Sequence, residues 1–366
     1  MRILHVYNHF YPCVGGIEKY VEDLCLDLIR IGHTSDVCCL NTHGNFKEKL
    51  KPHEKYKGIT IYRLPYLDLK YYKIAPAVLK IAKKYDVIHV YGTGFFSDFL
   101  NLTKIIHGKP VLVSTVGGVF HTKNLRAVKN VYFKYWCKAM LNSTDKVIAI
   151  SEHDKKLFSE ITHNIEMIPV PVEIDKFKFL KRKKCNLKMI YIGRISKNKR
   201  VDRLIDVVKF LAKKEPKTKL YIIGGDREGL KGSLESQVVS KGVKRNIEFL
   251  GEAEDEKMLK YIKKSTLFLS ASRYESFGIS AVEAMASGLI VILNDIEAFR
   301  HLVTDGENGY LADYSRPESV ARIILKLNKL ELSGISENAN KRAQEFRTEN
   351  IVKKIEKLYL KVAGKF

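Results

Sequence analysis

The chain has 366 residues, 45% of them apolar and 29% charged, enough for two ordinary domains with their own cores. That balance excludes a disordered chain, and no apolar run approaches the ~20 residues that cross a bilayer. Sixty-four Lys and Arg against 41 Asp and Glu leave a net charge of +23, which favours an anionic partner such as a nucleotide, an acidic lipid surface or a phosphorylated acceptor. The lysines are spread along the whole chain and no nucleic-acid-binding module is recognisable, so no nucleic-acid partner is expected. Six cysteines show no C-x-x-C pair and no metal-ligand spacing, and read as reduced thiols of a cytoplasmic protein.

The opening MRILHVYNHF lacks the apolar core and cleavage site of a signal peptide and reads as a first strand over Met1 to Val6. Gly15-Gly16 follows, then a helix to Arg30 with apolar positions at Ile17, Val21, Leu24, Cys25 and Leu28. Strand, glycine pair and helix open a doubly wound sheet, but G-x-G-x-x-G is absent and the dinucleotide fingerprint is not met. Taken alone, the glycine pair reads as a loop that needs φ > 0. Strands are expected at Thr34 to Leu40, Ile59 to Arg63, Asp86 to Tyr91 and Pro110 to Thr115, with Asp145 to Ile150 ending the first sheet. Two stretches, Tyr66 to Tyr85 and the expected helix Lys123 to Met140, interleave lysines with aromatic rings. Such a face suits either a membrane–water interface or plain solvent above a packed core. Ser151 follows the last of these strands at a carboxyl end, where open α/β sheets bind ligands.

The prolines around Val170-Pro171 and the basic run Lys181-Arg-Lys-Lys184 read as an interdomain linker. A second sheet opens at Leu187 to Ile192 and turns at Gly193-Arg194-Ile-Ser-Lys-Asn-Lys199-Arg-Val-Asp202 into a helix ending near Lys213. Arg194 offers a fork of donors and Lys199 a point charge, a pair suited to clamping a diphosphate. Further strands are expected at Leu220 to Ile223, Ile247 to Glu252, Ser265 to Ser270 and Leu289 to Leu293, and Asn338 to Ala363 as a helix. Ile279 to Ser287 reads as a helix with Ala281, Val282, Ala284 and Met285 on its apolar side. Before it, Arg273-Tyr-Glu-Ser-Phe-Gly278 is a tight turn that delivers backbone N–H groups at a helix N-terminus, which suits an anion. Glu275 sits in this turn and Glu283 lies eight residues on, so one could reach a bound sugar while the other reaches the rest of the same ligand.

Glu275-Ser-Phe-Gly-Ile-Ser-Ala-Val-Glu283-Ala-Met-Ala-Ser-Gly288 matches E-x-F-G-x-x-x-x-E-A-M-A-x-G without a gap. At these residues the chain resembles the retaining GT-B glycosyltransferases of family 4, among them transferases of exopolysaccharide and lipid-linked glycan synthesis. The turn at Gly193 matches the family's G-R-[LI]-x-x-x-K-G-x-D except for Arg200 in place of glycine. Ser114-Thr-Val-Gly-Gly-Val-Phe-His-Thr122 is similar to S-T-H-G-G-F-F-H-T but has Val116 for the first histidine. Ile168-Pro-Val-Pro171 replaces an expected Asn-Gly by Val-Pro.

The resemblance implies an α/β fold of the GT-B class, two Rossmann-like doubly wound domains facing across a cleft. The expected layout is 1–170 on the acceptor side, a linker at 171–186, a donor domain at 187–345, and a helix at 346–366 crossing back to the first domain. It implies transfer of a hexose from a UDP- or GDP-linked sugar, as substrate and not cofactor, to a glycan or lipid-linked hydroxyl. Arg194 and Lys199 would hold the diphosphate with N–H groups around Ser276, Phe277, Gly278 and Ile279, without an obligatory metal. Glu283 would bind the ribose and Glu275 the sugar hydroxyls. Gly15 and Gly16 would let the backbone approach the donor's phosphates or the acceptor. His121 would face the acceptor or donor, or merely cap the next helix, and Ser151 would face the acceptor. Location on the cytoplasmic face of an anionic membrane is a further expectation. Another GT-B enzyme, such as a glycogen-type synthase or a nucleotide-sugar epimerase, stays open, as does an inactive nucleotide-sugar-binding protein.

Overall fold

The structure, a computed structural model, describes residues 1–13, 15–42, 50–69, 72–116, 131–275 and 277–364. The chain divides into two compact units, Met1–Pro171 with Thr348–Phe366, and Val172–Arg347.

In unit 1 the strands are β1 (Arg2–Val6), β2 (Thr34–Leu40), β3 (His53–Tyr56), β4 (Ile59–Leu64), β5 (Leu67–Asp68), β6 (Lys73–Ile74), β7 (Val87–Tyr91), β8 (Val111–Ser114), β9 (Lys146–Ala149) and β10 (Ile165–Met167). Among the described residues, eight of them form one sheet in the order β10-β9-β8-β7-β1-β2-β4-β3, while β5 and β6 pair as a separate hairpin. The large sheet is parallel apart from β3, which runs antiparallel to β4. Ile3, Leu4 and Val6 of β1 are fully buried, as the central strand of a sheet covered on both faces requires. The helix Gly16–Arg30 buries Tyr20, Val21, Leu24, Cys25 and Leu28, one face of its 3.6-residue period. Beside it packs Thr348–Val362, the last helix of the chain, which buries Ile351, Val352, Ile355, Leu358 and Tyr359.

Unit 2 holds β11 (Lys188–Ile192), β12 (Lys219–Ile223), β13 (Ile247–Gly251), β14 (Leu267–Ser270), β15 (Ile290–Asn294) and β16 (Tyr310–Ala312). They form a parallel sheet in the order β13-β12-β11-β14-β15-β16. The helix Val201–Lys214 packs with Pro317–Leu327, and Ile279–Ala286 packs with Ser333–Gln344. The segment 172–186 is bonded into this unit. Leu180 donates to the Ser287 carbonyl, Leu332 to that of Lys183, and the Arg182 guanidinium to those of Ile262 and Lys263.

Three readings from sequence are corrected. The first sheet does not end at β9, because the three-residue β10 pairs outside it. Such a strand is too short to show a period. The strand β3 joins the other edge, where alternating polar residues hid it. The helix expected over Asn338 to Ala363 is two helices, Ser333–Gln344 and Thr348–Val362. No proline or glycine marks the break. Phe346 buries its ring edge-on to Phe277 with centroids 5.2 Å apart, and its carbonyl accepts from Val172 N–H at 2.9 Å. Arg347 pairs with Asp175 at 2.7 Å. These long-range contacts outweigh local helix propensity.

Candidate functional site

The sheet of unit 2 changes direction of winding between β11 and β14, since β11 leads to β12 on one side and β14 to β15 on the other. Ligands of open α/β sheets bind at this switch point, beyond the strand carboxyl ends. The turn at 193–200 leaves β11 and the turn at 271–278 leaves β14, so the two stretches singled out from sequence are neighbours here. Two hydrogen bonds clasp them. Arg273 N–H donates to the Asn198 carbonyl at 2.9 Å, and Asn198 Nδ2 donates to the Tyr274 carbonyl at 2.8 Å. Lys199 Nζ donates to Glu275 Oε1, with only 20% and 16% of the two side chains exposed. Nothing in the sequence flagged Asn198; its part depends on which loop it meets.

Backbone geometry explains the glycines. Gly224, at the end of β12, has φ of +146°, and a Cβ there would lie 1.9 Å from the Gly193 carbonyl oxygen. Only glycine lets the turns after β11 and β12 come this close. Gly278 starts the helix Ile279–Ala286 at φ +101°, where a Cβ would lie 2.8 Å from the Phe299 ring. Arg200, the departure from the glycine pattern, adopts φ +51° and ψ +47°, which shows why a glycine suits this position. Its guanidinium is held by Asp202 at 3.1 Å.

Charge is arranged around the clasp. Arg194 is exposed, and its guanidinium has no hydrogen bond or ion pair with a described residue, while its carbonyl accepts from the buried Tyr191 hydroxyl at 2.8 Å. Burial and the nearby Glu275 charge push the Tyr191 phenol up. Phe277 is buried and Glu283 lies half-buried on the following helix, whose first N–H groups have no intrahelical partner. Ser276 lies outside the described residues. A cavity of about 320 Å³ lined by Ser196, Arg200, Gln237 and Arg273 opens alongside, but neither Lys199 nor Glu275 lines it.

In unit 1 the switch point lies between β1 and β7. Gly15 precedes the first helix with φ −159° and Gly16 has open space around its Cα, so neither needs a left-handed backbone. Tyr7 and His9, passed over in the sequence, occupy the loop after β1. Burial and Lys73 lower the His9 imidazole, and its Nδ1 is buried with no partner among the described residues. Ser151 is buried and accepts the Asp154 N–H at 3.1 Å, capping the helix Glu152–Ser159. Val116 takes φ +24°, rare for a β-branched residue. His121 lies outside the described residues.

The family described as glycosyltransferase family 4 matches residues 14–176, and that described as glycosyl transferases group 1 matches residues 172–346. The GDP-mannose:cellobiosyl-diphosphopolyprenol alpha-mannosyltransferase of Xanthomonas campestris is 30% identical over 325 residues, covering 88% of this chain and 86% of that protein. The alpha-monoglucosyldiacylglycerol synthase of Streptococcus pneumoniae is 24% identical, over 98% of this chain and 86% of that one. The crystal structure of Anabaena HepE in complex with UDP superposes with a TM-score of 0.80 at 20% identity, over 98% of this chain and 99% of that one. The clasped turns at the switch point lie within the stretch matched by the group 1 family. The chain belongs to the family 4, group 1 glycosyltransferases and has their GT-B fold of two parallel-sheet α/β units.

Proposed function

We propose that the protein is a retaining hexosyltransferase that moves a sugar from a nucleoside-diphosphate donor to a hydroxyl of a lipid-linked glycan or lipid. The observation that carries this reading is the clasp of the turns 193–200 and 271–278, with Lys199 on Glu275 and Arg194 left exposed beside them. Donor binding would exchange one pairing for another. The diphosphate takes Lys199 and Arg194, and the sugar hydroxyls take Glu275. The helix N-terminus at Gly278 adds N–H groups for the phosphate, and Glu283 binds the ribose. As the anomeric carbon–phosphate bond breaks, these fixed positive groups stabilise the departing diphosphate. The acceptor oxygen bonds to the anomeric carbon on the same face and gives its proton to the leaving phosphate oxygen. This leaves Glu275 as a binding group, unlike the nucleophile of a retaining glycoside hydrolase. Mannose is the first sugar to try, because the relative that is 30% identical is named for GDP-mannose and a diphosphopolyprenol glycan.

Melting of the full chain with GDP-mannose, UDP-glucose and ADP-glucose tests the donor site. One of them should raise the midpoint, since a ligand at 100 times its Kd adds about 2.7 kcal/mol. No shift with any of them would remove the donor assignment, and a product of inverted anomeric configuration would remove retention. Transfer should also survive EDTA, because Arg194, Lys199 and the helix N-terminus supply the charge that a metal would. Strict dependence on Mn²⁺ would defeat that part.

A further inference from the structure

The cavity of about 320 Å³ beside the clasp is walled by the turn 196–202, the helix Lys231–Ser240 and Arg273 of the neighbouring turn, all within unit 2. Its volume is at the lower end of small-molecule sites. Among the described residues three cations, Lys197, Arg200 and Arg273, line it against one acid, Asp202. Asp202 is committed: its carboxylate accepts from Arg200 Nε and Nη2, each at 3.1 Å, and pairs with Arg203 at 3.7 Å. The acids just outside are engaged as well. Glu228 accepts the Lys197 N–H at 3.0 Å, Asp226 accepts from the N–H groups of Leu230 and Lys231, and Asp206 pairs with Lys241. By contrast, the Lys197 ammonium and the Arg273 guanidinium have no hydrogen bond or ion pair with a described residue, and both residues are exposed. Cations grouped in this way, with no acid left to answer them, attract an anion.

Arg200 is strained. Its φ of +51° and ψ of +47° disfavour any residue with a Cβ, and glycine would relax the turn. Its side chain nevertheless lines the cavity, and a strained backbone points to a use for the side chain it carries. Around the charges stand Ser233 and Gln237 as hydrogen-bonding groups, with Leu230 and Leu234 as an apolar wall. Gln237 Oε1 accepts from Lys241 at 3.3 Å, which leaves its two N–H groups to donate. Cations for an oxyanion, neutral groups for hydroxyls and an apolar wall for a carbon skeleton suit a small phosphate monoester of hexose size.

We propose that this cavity is a regulatory site for a hexose phosphate, bound by Lys197, Arg200 and Arg273 and coupled to the corner proposed for the donor. The coupling runs through the clasp. Lys197 and Arg200 flank Asn198 and Lys199 on one turn, and Arg273 lies two residues before Glu275 on the other. An anion between them removes a repulsion that opposes the meeting of the two turns. It should therefore tighten donor binding, and the donor should tighten binding of the anion by the same factor. Only this coupling rests on the donor reading above; binding in the cavity is measured without a donor.

Melting of the full chain is followed with mannose-6-phosphate, mannose and inorganic phosphate at constant ionic strength. Mannose-6-phosphate should raise the midpoint saturably, and mannose should not. Inorganic phosphate should need about ten-fold higher concentration, because it lacks the hydroxyls that would meet Ser233 and Gln237. With the ester at saturation, the Kd of the nucleotide sugar should fall about five-fold. Lys197→Gln should weaken the ester about five-fold or more. Arg200→Gly should abolish the ester's shift while holding or raising the unliganded midpoint, since glycine relaxes the turn. Those opposite effects separate a lost site from a lost fold. The shift should persist in Lys199→Ala, and also if no nucleotide sugar binds, which keeps the two readings apart. No saturable shift, equal potency of inorganic phosphate, or a shift retained by Arg200→Gly would each overturn the proposal. So would loss of the shift in Lys199→Ala or competition by the nucleotide sugar, since the ester would then sit in the donor corner. An unchanged Kd for a nucleotide sugar that does bind would overturn the coupling.

Discussion

Replacing Lys199 by alanine is expected to lower turnover at least ~10²-fold, and Glu283→Ala by a similar factor, the range seen when a preorganised charge-stabilising donor is removed. The two act differently. Lys199 pairs with Glu275 within the clasp, so its removal takes away the proposed diphosphate ligand and leaves Glu275 without its ammonium partner. Lys199→Arg keeps the charge but not the point-like ammonium, and should restore part of the rate. Glu283 stands on the helix Ile279–Ala286, and its loss should weaken nucleotide binding as well as turnover. Steady-state kinetics with the donor found by melting reads both effects. Near-normal transfer by both alanine variants would end the assignment of this corner as the donor site.

Acidification is expected to unfold unit 1 steeply between pH 6.5 and 4.5. His5 on β1 and His89 on β7 are register partners and fully buried. Ser35 Oγ lies 2.9 Å from His5 Nε2 and Tyr91 OH 2.8 Å from its Nδ1, while Ser114 Oγ and Tyr359 OH lie 2.7 Å and 2.5 Å from His89. These partners are hydroxyls, and the tyrosines Tyr20, Tyr91 and Tyr359 facing the pair are themselves held neutral by burial. Among the described residues a positive charge there finds no carboxylate partner. Burial lowers His5 to about 3, and His89 well below its usual range. The unfolded chain takes up these protons near pH 6.5 and the folded one does not. Stability is therefore complete above that pH and falls below it, by about 1.4 kcal/mol per pH unit for each histidine. The only tryptophan, Trp136, lies in unit 1, so its fluorescence in urea follows this unit. His89→Gln should flatten the fall by about half. An unchanged midpoint from pH 7 to 4.5 would refute the account.

Much of the corner proposed as the donor site was legible as residues. The E-x-F-G signature, Arg194 and Lys199 were each visible as charge and turn chemistry. Their meeting was not, because it depends on β11 and β14 being neighbours across 76 residues of chain between Lys199 and Glu275. Asn198 shows the same limit more sharply. An asparagine in a turn is ordinary, and only the facing backbone of Arg273 and Tyr274 makes it a clasp. His5 and His89 read as residues of apolar strands, and their hydroxyl partners come from β2, β8 and the last helix as well as from β7 itself.

By itself the sequence determined the α/β class, the central strands of both sheets and the residue types of the turns at 193–200 and 271–278. Apolar runs, glycines and signature spacing act over a few residues and need no partner to be read. Only the tertiary structure decided the break before Thr348, the edge strands β3 and β10, the meeting of Tyr72, Tyr132 and Trp136 at Asp98, and the pairing of Lys199 with Glu275. Each of those depends on groups far apart in the chain, whose contact is set by sheet order and burial and not by local preference.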